Sequence, residues 1–103
     1  MADYRVRIEF DDEYNSRPGD FVAWSPTEDA AYVELFERGD LTAYGVVIEQ
    51  RCELGGWHVV DSLWGCAVES INQEGTYDSP ADVRDEYLRE TAADMWPLQE
   101  VAA

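Results

Sequence analysis

WHVVDSLWGCAVES, residues 57–70, is the most apolar run in the chain. Its side chains alternate: Trp57, Val59, Asp61 and Leu63 on one side, His58, Val60, Ser62 and Trp64 on the other. This period of two predicts a strand. Gly65 interrupts the alternation, and Cys66, Val68 and Ser70 resume it. Gly65 is therefore either a bulge within one bent strand or a break between two. With two of the chain's 4 tryptophans, the stretch reads as half of a central strand pair whose tryptophans and valines are core.

The other half lies immediately upstream. Residues 41–53 alternate Tyr44, Val46 and Ile48 against Ala43, Val47 and Glu49, a second strand, with Gly45 as a bulge or a close contact. Leu54-Gly55-Gly56 supplies the turn between them. This hairpin sets Cys52 near His58, and Cys66 near Ala43 or Tyr44 or beyond the end of the pair. The two thiols are then more than about 20 Å apart along the ribbon, too far for a disulfide. Both read as small buried hydrophobes.

Further upstream, Tyr4, Val6, Ile8 and Phe10 alternate with Arg5, Arg7 and Glu9, a third strand with one core face. Residues 11–20 then read as an irregular loop turning at Pro18-Gly19, with Phe21, Val22 and Trp24 pinning it down. Ser25-Pro26-Thr27-Glu28 is a capping-box start for a helix that runs to about Arg38 and stops at Gly39. Ala31, Tyr32, Leu35 and Phe36 form its apolar side, and Glu28, Asp29, Glu34 and Glu37 look outward. Downstream, residues 71–79 read as a polar loop. Ser79-Pro80-Ala81-Asp82 repeats the helix-start logic and predicts a second helix to Met95 or Trp96, ending before Pro97. Its stripe is Val83, Tyr87, Leu88, Ala92 and Met95. The expected fold is α+β: an antiparallel sheet of three to four strands with two helices on one face, in the order β-α-β-β(-β)-α. Residues 1–103 form a single acidic domain.

The charge is the one feature out of proportion. Acids number 23 against 7 bases, for a net charge of −16, and every base is arginine. Such a field repels nucleic acid and anionic membranes and favours basic partners. No run of about 18 apolar residues is present, and the N-terminal stretch alternates polarity, unlike a leader peptide. The expected address is cytoplasmic. At 46% hydrophobic and 13% aromatic, the chain can bury a core despite its charge.

Catalytic and metal chemistry find little support. His58 is the only histidine, and pairing with Cys52 or Cys66 would supply a nucleophile and a base but no oxyanion hole. Cysteine and histidine spacings match no zinc pattern. Asp11, Asp12, Glu13 and Asp20 lack the ligand spacing and glycine of a calcium loop. Gly55-Gly56 has no phosphate-binding pattern around it. No cofactor and no enzyme activity are expected.

What the acids offer is a row. Asp78, Asp82, Asp85, Glu86, Glu90 and Asp94 lie off the apolar stripe of the second helix. Asp82–Glu86 and Glu86–Glu90 are like-charge pairs four apart, mildly destabilising, and Asp85–Arg89 is the favourable pair at that spacing. Residues four apart stand about 6 Å from each other, comparable to successive phosphates of a nucleic-acid strand. Asp11, Asp12 and Glu13 are candidates to extend the row. These nine residues are the expected partner-binding set, and the expected partner is a basic, nucleic-acid-binding protein. The alternative is an acidic solvated domain, shaped by a saline or high-GC background, that acts as a protein-interaction module.

In its size, acidity and element order, the chain resembles small acidic phage and mobile-element proteins of the anti-CRISPR and anti-restriction type. That resemblance covers the whole chain at a coarse level and carries no residue-by-residue motif. It implies a non-enzymatic inhibitor whose carboxylates imitate nucleic acid, aimed at the basic groove of a host defence complex.

Overall fold

In the computed structural model, residues 3–16, 26–69 and 73–97 are described, without the side chains of residues 26–29 and Tyr32. The Pro18-Gly19 turn, the Phe21–Trp24 anchor, the Ser25 cap and the C-terminal residues lie outside these. The elements are β1 (Tyr4–Phe10), α1 (Asp12–Ser16), α2 (Pro26–Glu37), β2 (Thr42–Arg51), β3 (Trp57–Val68), β4 (Gly75–Tyr77), a 3-10 turn (Pro80–Asp82) and α3 (Glu86–Met95). The four strands form one antiparallel sheet in the order β3-β2-β1-β4. The class is α+β, as the periodicity predicts.

The alternation assigns the faces of β1 and β2 correctly, whereas in β3 the bulge beside Val60 sets Trp57 and Val59 opposite Arg51 and Glu49 but Asp61 and Leu63 opposite Ile48 and Val46, so the four do not share a face. Val6 pairs with Ile48, Ile8 with Val46 and Phe10 with Tyr44. Cys66 faces Tyr44 across the β2–β3 ladder. Val6, Ile8, Tyr44, Val46, Ile48, Cys66 and Val68 form one buried layer, and Val83, Leu88 and Ala92 pack on it. Tyr4 and Trp96 close the rim edge to face, ring centroids 5.9 Å apart. The opposite face is charged on β1, through Arg5, Arg7 and Glu9, and on β2 buries Ala43 and Val47 beside Glu49. Glu49 is buried and accepts from Arg5 Nε at 2.9 Å, with Arg7 Nε at 3.4 Å. Arg7 also pairs with Glu9, and the Arg5 guanidinium lies 4.1 Å from the Trp57 ring centroid. Burying a carboxylate is tolerable only when it is paired in this way.

The hairpin turns where Gly55 adopts φ 94°, and Cys52 N–H donates to Gly56 O at 2.7 Å. Gly65 is a bulge within one continuous strand: its φ is 75°, and the register shifts opposite Tyr44–Val46. Gly45 sits at that shift with the Trp64 ring laid against it, so a Cβ there would run into the ring.

Several expectations are overturned. The 57–70 stretch is not central: β2 is interior, and β3 is an edge strand exposed from His58 to Trp64. Its Val59, Val60, Leu63 and Trp64 are therefore not core. The loop expected over 11–20 begins with a helical turn, α1, because Asp11 Oδ1 accepts from Tyr14 N–H at 3.0 Å as an N-cap. The polar loop contains β4, three residues paired with Val6–Ile8 of β1. The second helix does not start at Pro80. Pro80–Asp82 is a 3-10 turn, and Val83 and Asp85 are extended, with ψ 129° and 130°. Ser79 makes no side-chain cap bond, while Asp85 caps α3 by accepting from Leu88 N–H at 3.0 Å.

In the expected apolar stripes, Ala31 and Tyr87 are exposed. The periodicity placed two helices on one face. α3 packs against β2 and β3 there, whereas α2 meets α1, through Phe36 on Tyr14 with ring centroids 5.5 Å apart.

Candidate functional site

The break before α3 divides the expected carboxylate row. Asp82 lies on the 3-10 turn, so Asp82–Glu86 is not a one-turn helical pair. Asp85 is spent on the helix cap. Glu86, Glu90 and Asp94 remain in register on one exposed side of α3, opposite buried Leu88 and Ala92. Arg89 turns to the carbonyls of Val83 and Arg84, at 2.8 and 2.7 Å. Asp78 is exposed and lines a separate hollow with Tyr4, Arg5 and Trp57.

One contributor was not in the expected row. Glu69, just past the end of β3, lines a groove of about 480 Å³ with Asp85, Glu86, Tyr87 and Leu41. Three carboxylates and a half-exposed tyrosine ring thus meet where the sheet ends and α3 begins. Among the described residues no arginine pairs with Glu69, Glu86 or Glu90. Arginines elsewhere are engaged: Arg5 and Arg7 with Glu49, Arg38 with Asp40 at 2.8 Å. No local signal joins residue 69 to residue 86, because the hairpin and α3 meet only through packing.

The Asp11-Asp12-Glu13 cluster does not extend this row. Asp11 is 8% exposed and structural: one oxygen caps α1 and the other accepts from Gly65 N–H at 3.0 Å. Asp12 and Glu13 are exposed, but Glu13 lines a cavity of about 590 Å³ with Asp11, Tyr14, Trp64 and Gly65. The Trp64 ring lies over Gly45, on the side of the sheet away from the α3-covered Tyr44–Val46–Ile48 face. The two acidic groups therefore front opposite faces.

The expected nearness of Cys52 and His58 is realised, with Sγ 2.9 Å from Nδ1 on the exposed hairpin end. No third group orients the imidazole among the described hydrogen bonds. Among the described residues, no group of three or more Cys, His, Asp or Glu side chains has metal-binding geometry. Cys66 is buried, and its surroundings push its pKa from the ordinary 9.0 to about 11, first by desolvation and then by the charge of Asp11. The two thiols are free and should separate chemically. Native protein treated with iodoacetamide near pH 8 should gain one adduct, at Cys52, and a second only after unfolding, as read by intact mass. Cys66 also sets an alkaline limit. Between about 9 and 11 the native thiol keeps a proton that the unfolded chain has released, so stability falls as pH rises. Cys66→Ala should flatten that decline in urea melts run across this window.

No helix among the described residues is long and apolar enough to cross a membrane. Comparison of the chain with protein-family models, with curated proteins and with solved structures finds no match.

Proposed function

We propose that this chain is a non-enzymatic inhibitor that binds a basic, nucleic-acid-binding protein surface through the carboxylates around α3, in the manner of anti-restriction and anti-CRISPR nucleic-acid mimics. The observation that carries the reading is the meeting of Glu69 and Glu86 in one groove, with Glu90 exposed one turn further along α3, all three without arginine partners among the described residues, in a chain of net charge −16. Glu86 and Glu90 are one helical turn apart, about 6 Å, close to the phosphate repeat that a basic groove accommodates. Releasing counterions from such a row favours association, as it does for nucleic acid itself. Tyr87 adds a ring beside the acids, suited to an arginine stacking on it.

The test is displacement of a labelled duplex DNA from the basic groove of a restriction enzyme or CRISPR effector. Wild-type protein should displace the DNA and weaken steeply between about 50 and 200 mM salt. The triple reversal Glu69→Lys, Glu86→Lys, Glu90→Lys should lose about 100-fold or more in potency, with an unchanged far-ultraviolet spectrum. Displacement that survives the reversal would remove α3 from the interface.

A further inference from the structure

The free edge of β3 is a second surface, and it calls for a different partner. Four of the exposed large apolar side chains lie on this one strand: Val59 at 52%, Val60 at 41%, Leu63 at 47% and Trp64 at 47%. Among the described residues no strand pairs with its outer edge; on that edge Ser62 N–H already donates to Asp61 Oδ1 at 2.8 Å. Edge strands are normally guarded by lysine, proline, inward charge, brevity or bulges. β3 runs for 12 residues with no lysine, arginine or proline; its guards are one acid, Asp61, and two bulges. Its bulges at Gly65 and beside Val60 divide it into three runs of three paired residues each, 57–59, 61–63 and 66–68.

We propose that this edge pairs with the β3 edge of a second copy, antiparallel and across a two-fold axis, to give a dimer with one continuous eight-stranded sheet. Charge selects this surface. Two chains of net charge −16 repel wherever carboxylates meet, and β3 is a long strip carrying a single one. Charge also selects the direction. The hairpin end of the strand carries His58, with Arg51 opposite Trp57, whereas the other end runs into Glu69. Antiparallel pairing sets the hairpin end of each strand, where Arg51 offsets Glu53, toward the Glu69 end of its mate, and parallel pairing would set Glu69 against Glu69. The far edge of the sheet, β4, is only 3 residues long, so the pairing closes at two copies and does not propagate. A strip about 40 Å long and 10 Å deep gives on the order of 400 Å² per copy. That is below the ~800 Å² of a standard interface, which sets the expectation at a micromolar dimer.

The inference shares Glu69 with the acidic-face reading but not Glu86 or Glu90, and the two respond oppositely to salt. Screening weakens attraction to a basic protein but relieves repulsion between identical acidic chains. Sedimentation velocity of the full chain over a concentration series up to about 100 µM, a range set by that micromolar expectation, should show a species of twice the 11.7 kDa chain mass, its share growing with salt. Val60→Lys with Leu63→Lys should return the protein to monomer, and Glu86→Lys with Glu90→Lys should leave the dimer in place. Amide exchange supplies a reading on unaltered protein: β3 amides should gain protection as concentration rises. A monomer at every concentration and salt overturns the proposal. So does a dimer that ignores the Val60 and Leu63 changes, or an open-ended series of oligomers.

Discussion

Asp11→Ala is expected to cost the fold about 2–4 kcal/mol, although aspartate near a turn is usually a surface residue. The sum has two parts. Loss of the N-cap on α1 costs about 1 kcal/mol, and leaving the Gly65 N–H without its acceptor inside the structure costs about 1–3 kcal/mol. Both partners are backbone amides, each held at 3.0 Å, so no side chain can rotate to replace the carboxylate. The Gly65 bond ties the start of α1 to the bulge of β3, and its loss should loosen the Trp64 cavity as well. Urea unfolding measures the cost. Asp12→Ala, one residue on and exposed, is the control and should stay within about 0.5 kcal/mol of wild type. Equal, small effects at the two positions would mean that the carboxylate at 11 is not structural.

Leu88→Ala should be the most damaging single truncation on α3, at about 2–5 kcal/mol. Leu88 is fully buried among Val6, Ile8, Tyr44 and Ile48, and α3 carries only Leu88 and Ala92 as buried residues. Alanine removes most of what holds the helix down and leaves a cavity in a layer that includes rigid β-branched strand residues. Should the alanine variant fail to accumulate folded protein, Leu88→Met, which conserves volume, should cost under about 1.5 kcal/mol. The consequence reaches function. α3 presents Glu86 and Glu90, whose mutual repulsion works against the helix, so the core under Leu88 opposes the cost of the acidic face above it. Binding of the proposed basic partner should weaken in Leu88→Ala in step with lost helicity, while Glu90→Gln should weaken binding and slightly raise stability.

The local elements were largely legible because their signals are local. Alternation at period two identified β1, β2 and β3 and sorted Tyr44, Val46 and Ile48 from Ala43, Val47 and Glu49. Gly55-Gly56 marked the hairpin turn, and Pro97 marked the limit of α3. The misreadings came where two nearby signals competed. Ser79-Pro80 looks like a helix start, but Val83 is drawn into the core in an extended conformation, and Asp85 caps the helix six residues after Ser79. Asp11-Asp12-Glu13 looks like one acidic patch, but a single hydrogen bond to Gly65, distant in sequence, buries the first member and leaves the other two outside.

By itself, then, the sequence determined the class, the hairpin, the buried face of β1 and the acidity that makes a basic partner the natural expectation. Each of these follows from composition or from spacing within a dozen residues. Tertiary structure alone decided that the most apolar strand lies at an edge, because strand order depends on where β1 docks and not on how apolar β3 is. It alone decided that Glu69 joins Glu86 while Glu13 fronts the opposite face, because those relations are set by the packing of α3 and α1 on the sheet. The stretch WHVVDSLWGCAVES was read as a core strand on its hydrophobicity. Its place in the sheet makes it instead a long, nearly uncharged edge on an otherwise acidic molecule.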